Sequence, residues 1–253
     1  MITWGINALN HGSSLAVFQG HELVKFDIFR EDTLSRESMY HALNWGGPSK
    51  VYWYERPYLK KLRQLTAGQF SEAFNTSVIP RKYINDINLK YSKLYYTPHH
   101  ASHAAAGYYT SPFDKCAVVV LDAIGEFECA SIWAAENGKL TKIWGRDYPH
   151  SLGLFYSAFT KLIGYQPIVE EYKLQNDSEL GDRDRYYDRV RSYIQEMLTV
   201  TYNFHRGVRD WKDEIKCDQD RYDIAAAVQR VFEEQVSLIM TSARSAVGTD
   251  KLV

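Results

Sequence analysis

A mixed α/β fold built from two successive β-rich blocks is predicted by three observations. Strand-like apolar runs open the chain and return near residue 116, each time in hairpin order. Helix-patterned stretches follow each block, and no window approaches the ~18 uninterrupted apolar residues of a membrane-spanning helix. Hydrophobic residues make up 45% of the 253 and charged residues 24%, the proportions of a globular chain rather than a disordered one. With 30 Lys+Arg against 31 Asp+Glu the formal charge is −1, which excludes a nucleic-acid binder driven by bulk electrostatics.

Residues 2–7 read as a buried strand, Asn10-His11-Gly12-Ser13-Ser14 as a turn, and residues 15–19 and 22–28 as the second and third strands. Residues 35–90 turn helical, with a short strand at 51–54 and helix starts at Pro57 and Pro80. This stretch reads as a helical insertion in a first lobe of about residues 1–115. The second lobe, 116–253, begins with strands at 116–122, 129–135 and 140–144, turning at Gly125 and at Glu136-Asn137-Gly138. Helices follow at 152–163, around 183–198 in a polar stretch, and at 221–247, where Gly248 ends the last one. A further strand starting at Lys251-Leu252-Val253 is expected to lack room to pair, so the second lobe is expected to be incomplete. That expectation leaves Ile224, Val228, Val231, Val236 and Ile239 partly uncovered and favours a homodimer. Cys116, Cys129 and Cys217 cannot all pair, no CxxC spacing occurs, and the first residues lack a signal-peptide pattern; a cytoplasmic chain with reduced thiols is expected.

Four constellations can carry chemistry. His99 and His103, after Pro98 and before Ala104-Ala105-Ala106, lie one turn apart on a helix and can offer two imidazole nitrogens to one cation. The same pair is equally accommodated as two half-buried histidines bonded to backbone or water. Asp122 follows the apolar run 117–121 and precedes Gly125 and Glu126, where open α/β sheets bind ligands. It can add an oxygen ligand to the histidines, hold a magnesium-bound nucleotide phosphate, or simply start a turn. Ser151, capping an apolar helix with Gly153 in its first turn, offers exposed N–H groups to a phosphate, as does the opening turn through Gly12, Ser13 and Ser14; a capped core helix is the plainer account of Ser151. Finally, the strip at Glu170-Glu171-Tyr172-Lys173 can meet a ribose or phosphate through Glu171 and Lys173, or be a solvated face.

Taken in order, these motifs resemble the carbamoyltransferase family of nodulation and antibiotic O-carbamoyltransferases. The resemblance rests on Gly5-Ile6-Asn7 with His11-Gly12-Ser13-Ser14, His99-His100-Ala101-Ser102-His103-Ala104, Asp122-Ala123-Ile124-Gly125-Glu126, Pro149-His150-Ser151-Leu152-Gly153, Glu171-Tyr172-Lys173 and the helix around Asp223-Ile224-Ala225-Ala226. It implies an actin-like, sugar-kinase-like ATPase fold with two ribonuclease-H-like lobes. It further implies an enzyme that makes carbamoyl-adenylate from carbamoyl phosphate and ATP in a separate C-terminal part, then passes the carbamoyl group to a small-molecule hydroxyl or amine.

His99, His103 and Asp122 match the family's ligands to a divalent metal, usually Fe(2+). His11, in the opening turn, is the candidate base for the acceptor proton. Gly12, Ser13, Ser14, Gly125, Glu126, Ser151, Gly153, Glu171 and Lys173 form the candidate cofactor-binding set. Two departures stand out: Gln175-Asn176-Asp177-Ser178-Glu179 is polar where the family has a small apolar stretch, and Val253 precedes the family's Gly-Gly phosphate loop and fourth, acidic ligand. A C-terminal half or split partner subunit is therefore expected to be needed for turnover. Two other readings remain: a non-catalytic metal- or nucleotide-binding scaffold, and a related kinase, against which the histidine pair argues because such kinases hold magnesium through carboxylates and water.

Overall fold

Alternation along the first strand, β1 (Ile2–Asn10), sends Trp4, Ile6 and Ala8 to one face, where all three are buried. In the computed structural model, which describes residues 1–10, 12–195, 198–212 and 215–253, β1 is the middle of a five-stranded sheet. It pairs antiparallel with β2 (Gly12–Gln19), which pairs antiparallel with β3 (Glu22–Phe29). On its other side β1 pairs parallel with β4 (Lys50–Trp53), and β4 with β5 (Lys93–Tyr96). Parallel neighbours need crossover connections. Helix α1 (Arg36–Leu43), started by the Ser35 hydroxyl accepting from the Ser38 N–H, leads from β3 to β4. Helices α2 (Pro57–Thr66), α3 (Phe70–Phe74) and α4 (Pro80–Asp86) lead from β4 to β5.

The helices at 35–90 are thus the crossovers of the sheet and not an insertion into it, and they cover the Trp4, Ile6, Leu15, Val17, Val51 and Trp53 face with Met39, Ala42, Tyr83 and Ile84. A second difference concerns the expected opening turn. Gly12, Ser13 and Ser14 belong to β2, Ser13 pairing with Phe29 and Ser14 with Asn7 and Ile28, because the alternation that buries Leu15 and Val17 continues back to Ser13. Strand order β3-β2-β1-β4-β5 is that of a ribonuclease-H-like sheet.

Contacts divide the chain into two units, Met1–Ser102 and His103–Val253. The division falls one turn inside a continuous helix, α5 (His99–Thr110). In the second unit β6 (Lys115–Gly125), β7 (Glu128–Glu136) and β8 (Lys139–Asp147) form an antiparallel meander. Contrary to expectation, the last three residues do pair: the Ala117 and Val119 N–H groups donate to the Lys251 and Val253 carbonyls at 2.9 and 2.8 Å, with Leu252 bridging Ala117 in parallel. The free edge of β6 supplies the partners that three residues need. The order β8-β7-β6 followed by residues 251–253 repeats β3-β2-β1-β4, so the second unit restates the topology of the first. Both units thus follow the actin-like, sugar-kinase-like class.

Cys116, Val118 and Val120 on one face of β6 pack against Ala104 and Tyr108 of α5. Gly107 lets that helix lie close, since a Cβ there would stand 2.8 Å from Val253 Cγ1. The opposite face meets α6 (Leu152–Leu162) and α9 (Asp218–Val247), against which α7 (Glu171–Ser178) and α8 (Tyr187–Arg191) pack, around Leu154, Phe155, Phe159, Leu174 and Val190. These helices cover the face of α9 expected to be bare: Ile224, Val228, Val231 and Ile239 are buried, Val236 is half-buried, and Leu238 and Met240 are the exposed ones. The expected polar helix at 183–198 shrinks to α8, because Tyr193, Ile194 and Leu198 turn into the core and Ile194 bridges Val200. No helix among the described residues is long and apolar enough to cross a membrane.

Candidate metal centre

Two periodicities bring the candidate ligands together. Along β6, Cys116, Val118, Val120 and Asp122 fall on the face that α5 covers, so the apolar stripe ends in a carboxylate. Along α5, His99 and His103 stand one turn apart, and the helix is seated by Ala104 and Tyr108 on that same face. One ligand atom from each of His99, His103 and Asp122 lies within 4.8 Å of the others. His99 is buried, Asp122 half-buried and His103 exposed. Two imidazoles and one carboxylate form a donor set suited to a first-row divalent ion such as Fe(2+).

Neighbouring groups fix the end of β6 against α6. Asp122 Oδ1 accepts from the Ala123 N–H at 2.7 Å. The Ser151 hydroxyl donates to the Ala123 carbonyl at 2.6 Å while accepting from the Leu154 N–H at 3.0 Å, tying the start of α6 to the residue after Asp122. Gly153 permits that approach, since a Cβ there would stand 3.0 Å from Ala123 Cα. Ser151 and Gly153, expected to cradle a phosphate, therefore seat α6 beside the cluster.

In the first unit the opening turn of α5 docks on the end of β4. The Ser102 hydroxyl donates to the Tyr54 carbonyl at 2.7 Å, and the Tyr54 and His99 rings meet edge to face at 5.7 Å. Glu55, 7% exposed, places Oε2 at 3.6 Å from His99 Nδ1 and accepts from Lys60 Nζ at 3.0 Å through Oε1. Burial pushes the Glu55 carboxyl up, but the interactions with His99 and Lys60 outweigh it and hold the group below its ordinary value. Sequence reading missed Glu55. The available signal was an acidic residue directly after the run Val51-Tyr52-Trp53-Tyr54 and two residues before the helix-starting Pro57.

The remaining candidates lie apart in role. The Gly12 N–H is engaged by Asp32 Oδ1 at 2.9 Å, and Ser13 is buried on the core face of β2. Gly125 pairs with Glu128, and Glu126, buried with φ +61°, makes the hairpin turn between β6 and β7. Glu171 Oε1 accepts from the Ser157 hydroxyl and the Ile168 N–H, both at 2.5 Å, at the start of α7. Lys173 pairs with Glu170 at 2.6 Å and lies over the Tyr165 ring. The polar 175–179 stretch continues this helix, where the Asp177 carboxylate accepts from the Tyr165 hydroxyl and from Arg221 Nε. His11 lies outside the described residues.

The sequence matches a family model described as "Carbamoyltransferase N-terminus" over residues 15–252. It is 32% identical over 180 residues to the uncharacterized protein sll1178 of Synechocystis, covering 63% of this chain and 29% of that protein. It is 23% identical over 163 residues to the nodulation protein NolO of Bradyrhizobium diazoefficiens, covering 61% of this chain and 30% of that one. The matched stretches thus span less than a third of either relative. Component A of the (R)-2-hydroxyglutaryl-CoA dehydratase of Acidaminococcus fermentans superposes over 100% of this chain and 92% of its own at 12% identity, with a TM-score of 0.44.

Proposed function

Since this chain belongs to the carbamoyltransferase N-terminus family, we propose that it supplies the metal-holding part of a carbamoyltransferase acting on a small-molecule hydroxyl or amine. The observation that carries the reading is the His99, His103 and Asp122 cluster at the rim of β6. The substrate would be carbamoyl-adenylate, formed from carbamoyl phosphate and ATP with help from further polypeptide. In the transfer step the acceptor oxygen or nitrogen bonds to the carbamoyl carbon, the bond from that carbon to the phosphate oxygen breaks, and AMP leaves. His11 is the proposed acceptor of the proton. A bound Fe(2+) or similar ion would act there as a Lewis acid, drawing charge from the adenylate phosphate. His99 and His103 would hold the ion from one helix and Asp122 from the strand beneath, while Ser151 and Gly153 keep α6 against Ala123 so that the carboxylate stays in place.

A second reading, a scaffold that binds metal without turnover, is favoured by one observation. The Gly12 N–H and the Ser151 hydroxyl, both candidate phosphate donors, are bonded within the protein. One set of measurements separates the two. Elemental analysis after anaerobic loading with Fe(2+) should find the ion in the native chain and not in His99→Ala; equal content in both removes the ligand assignment. With the C-terminal part supplied, carbamoyl-phosphate-dependent release of pyrophosphate and carbamoylation of an acceptor are expected. Metal retention with neither product, and no use of carbamoyl-adenylate supplied ready-made, leaves the scaffold.

A further inference from the structure

Glu55 and His99 form a contact that the metal reading does not use. Both are nearly excluded from water, at 7% and 9% exposure, and a carboxylate taken from water at that depth is costly unless bonded. Lys60 Nζ stands 3.0 Å from Glu55 Oε1, which leaves Oε2 to face the ring. The atom it faces is His99 Nδ1, at 3.6 Å. A neutral imidazole carries one proton on one of its two nitrogens, and an adjacent acceptor draws that proton to its own side.

We propose that Glu55 is a positioning residue for His99: it holds the ring as the Nδ1–H tautomer, fixes its rotation, and leaves Nε2 as the metal-binding atom. The proposal rests on the metal reading above. A carboxylate behind a ligating histidine raises the basicity of the ligand and removes the freedom it would otherwise lose on binding, and loss of such a partner typically lowers metal affinity about 10–100-fold. Its position follows from the fold. Glu55 stands just past the end of β4, where the Ser102 to Tyr54 hydrogen bond pins the first turn of α5. The carboxylate and the ring are therefore delivered by two elements already fixed to each other.

Titration of the apo chain with Co(2+), followed by its visible absorption, tests this. Glu55→Gln, which preserves shape and loses charge, should bind about 10-fold more weakly with a shifted ligand-field band, and Glu55→Ala up to about 100-fold more weakly. His99→Ala is the reference. If it binds Co(2+) as the native chain does, the metal site falls and the proposal with it. If His99→Ala loses binding while both Glu55 variants keep native affinity and spectrum, the metal site stands and the positioning role is overturned. A second measurement needs neither metal nor variant: the nitrogen NMR shifts of His99 in the apo chain should report a proton on Nδ1, and a proton on Nε2 overturns the proposal.

Discussion

Gly153 faces Ala123 so closely that a Cβ on the glycine would stand 3.0 Å from the Ala123 Cα and 3.2 Å from its nitrogen. The neighbour is strand backbone, one residue past Asp122, and cannot swing aside as a side chain would. Replacing Gly153 with alanine brings a helix-propensity gain of at most about 1 kcal/mol, against an overpacking cost of about 1–3 kcal/mol. A net loss of stability is expected in denaturant unfolding, with weaker metal binding as Asp122 shifts. Net stabilisation would show that α6 moves freely against β6.

His103→Ala and Asp122→Asn should each lower metal affinity, and the double substitution should cost less than the sum of the two. Ligands of one ion act as a unit, so once one is lost the other has less left to hold. Calorimetric titration of the four proteins checks this. Strict additivity would mean that the two residues do not share an ion.

Ile239 and Leu238 are adjacent on α9, the first 1% and the second 43% exposed. Ile239→Ala should cost about 2–5 kcal/mol through loss of buried surface and a residual cavity. Leu238→Ala should change stability by less than about 0.5 kcal/mol. Equal effects in chemical denaturation would contradict the packing of α9 on α6, α7 and α8.

Asp220 and Asp223 both grip Arg185, at 2.6 Å each. The Lys216 N–H, with Arg185 and the Cys217 thiol, outweighs burial and draws the Asp220 carboxyl down to about 2. Burial pushes Asp223 up, but the Asp182 N–H, Arg185 and Gln219 outweigh it and leave it lowered. A carboxyl more acidic in the folded chain binds fewer protons there than in the unfolded chain. Its stabilisation is therefore present above the ordinary value of 3.8 and is lost as pH falls toward about 2. The melting temperature of Asp220→Asn should lie below that of the native chain at pH 6 and converge with it near pH 2. A gap that stays constant would remove the ion-pair account.

Much of the architecture was legible because burial imposes simple periods. The alternation at Trp4, Ile6 and Ala8, and the apolar run before Asp122, mark buried strands whatever their neighbours, and the i, i+4 histidines need only a helix to converge. What failed depended on distant partners. Strand β5, four residues reading Lys-Leu-Tyr-Tyr, is a strand only because β4 offers a parallel edge. The turn expected at Gly12 to Ser14 gave way to pairing with β3, and the polar stretch near Arg183 is pulled out of helix by Tyr193 and Ile194 seeking the core. Glu55 was marked locally only as an acidic residue at a strand end; that His99, 44 positions on, meets it depends on the distant partner.

The short parallel ladder between β6 and residues 251–253 bears on more than topology. Val253 rests against Gly107, one turn after His103 on α5. Seating of that ladder and the spacing between His103 and Asp122 thus depend on one helix position. By reciprocity of linked equilibria, any change in ion affinity at the proposed site that follows from steadying Lys251 to Val253 against Ala117 and Val119 would be matched, in sign and size, by the effect of ion binding on the ladder.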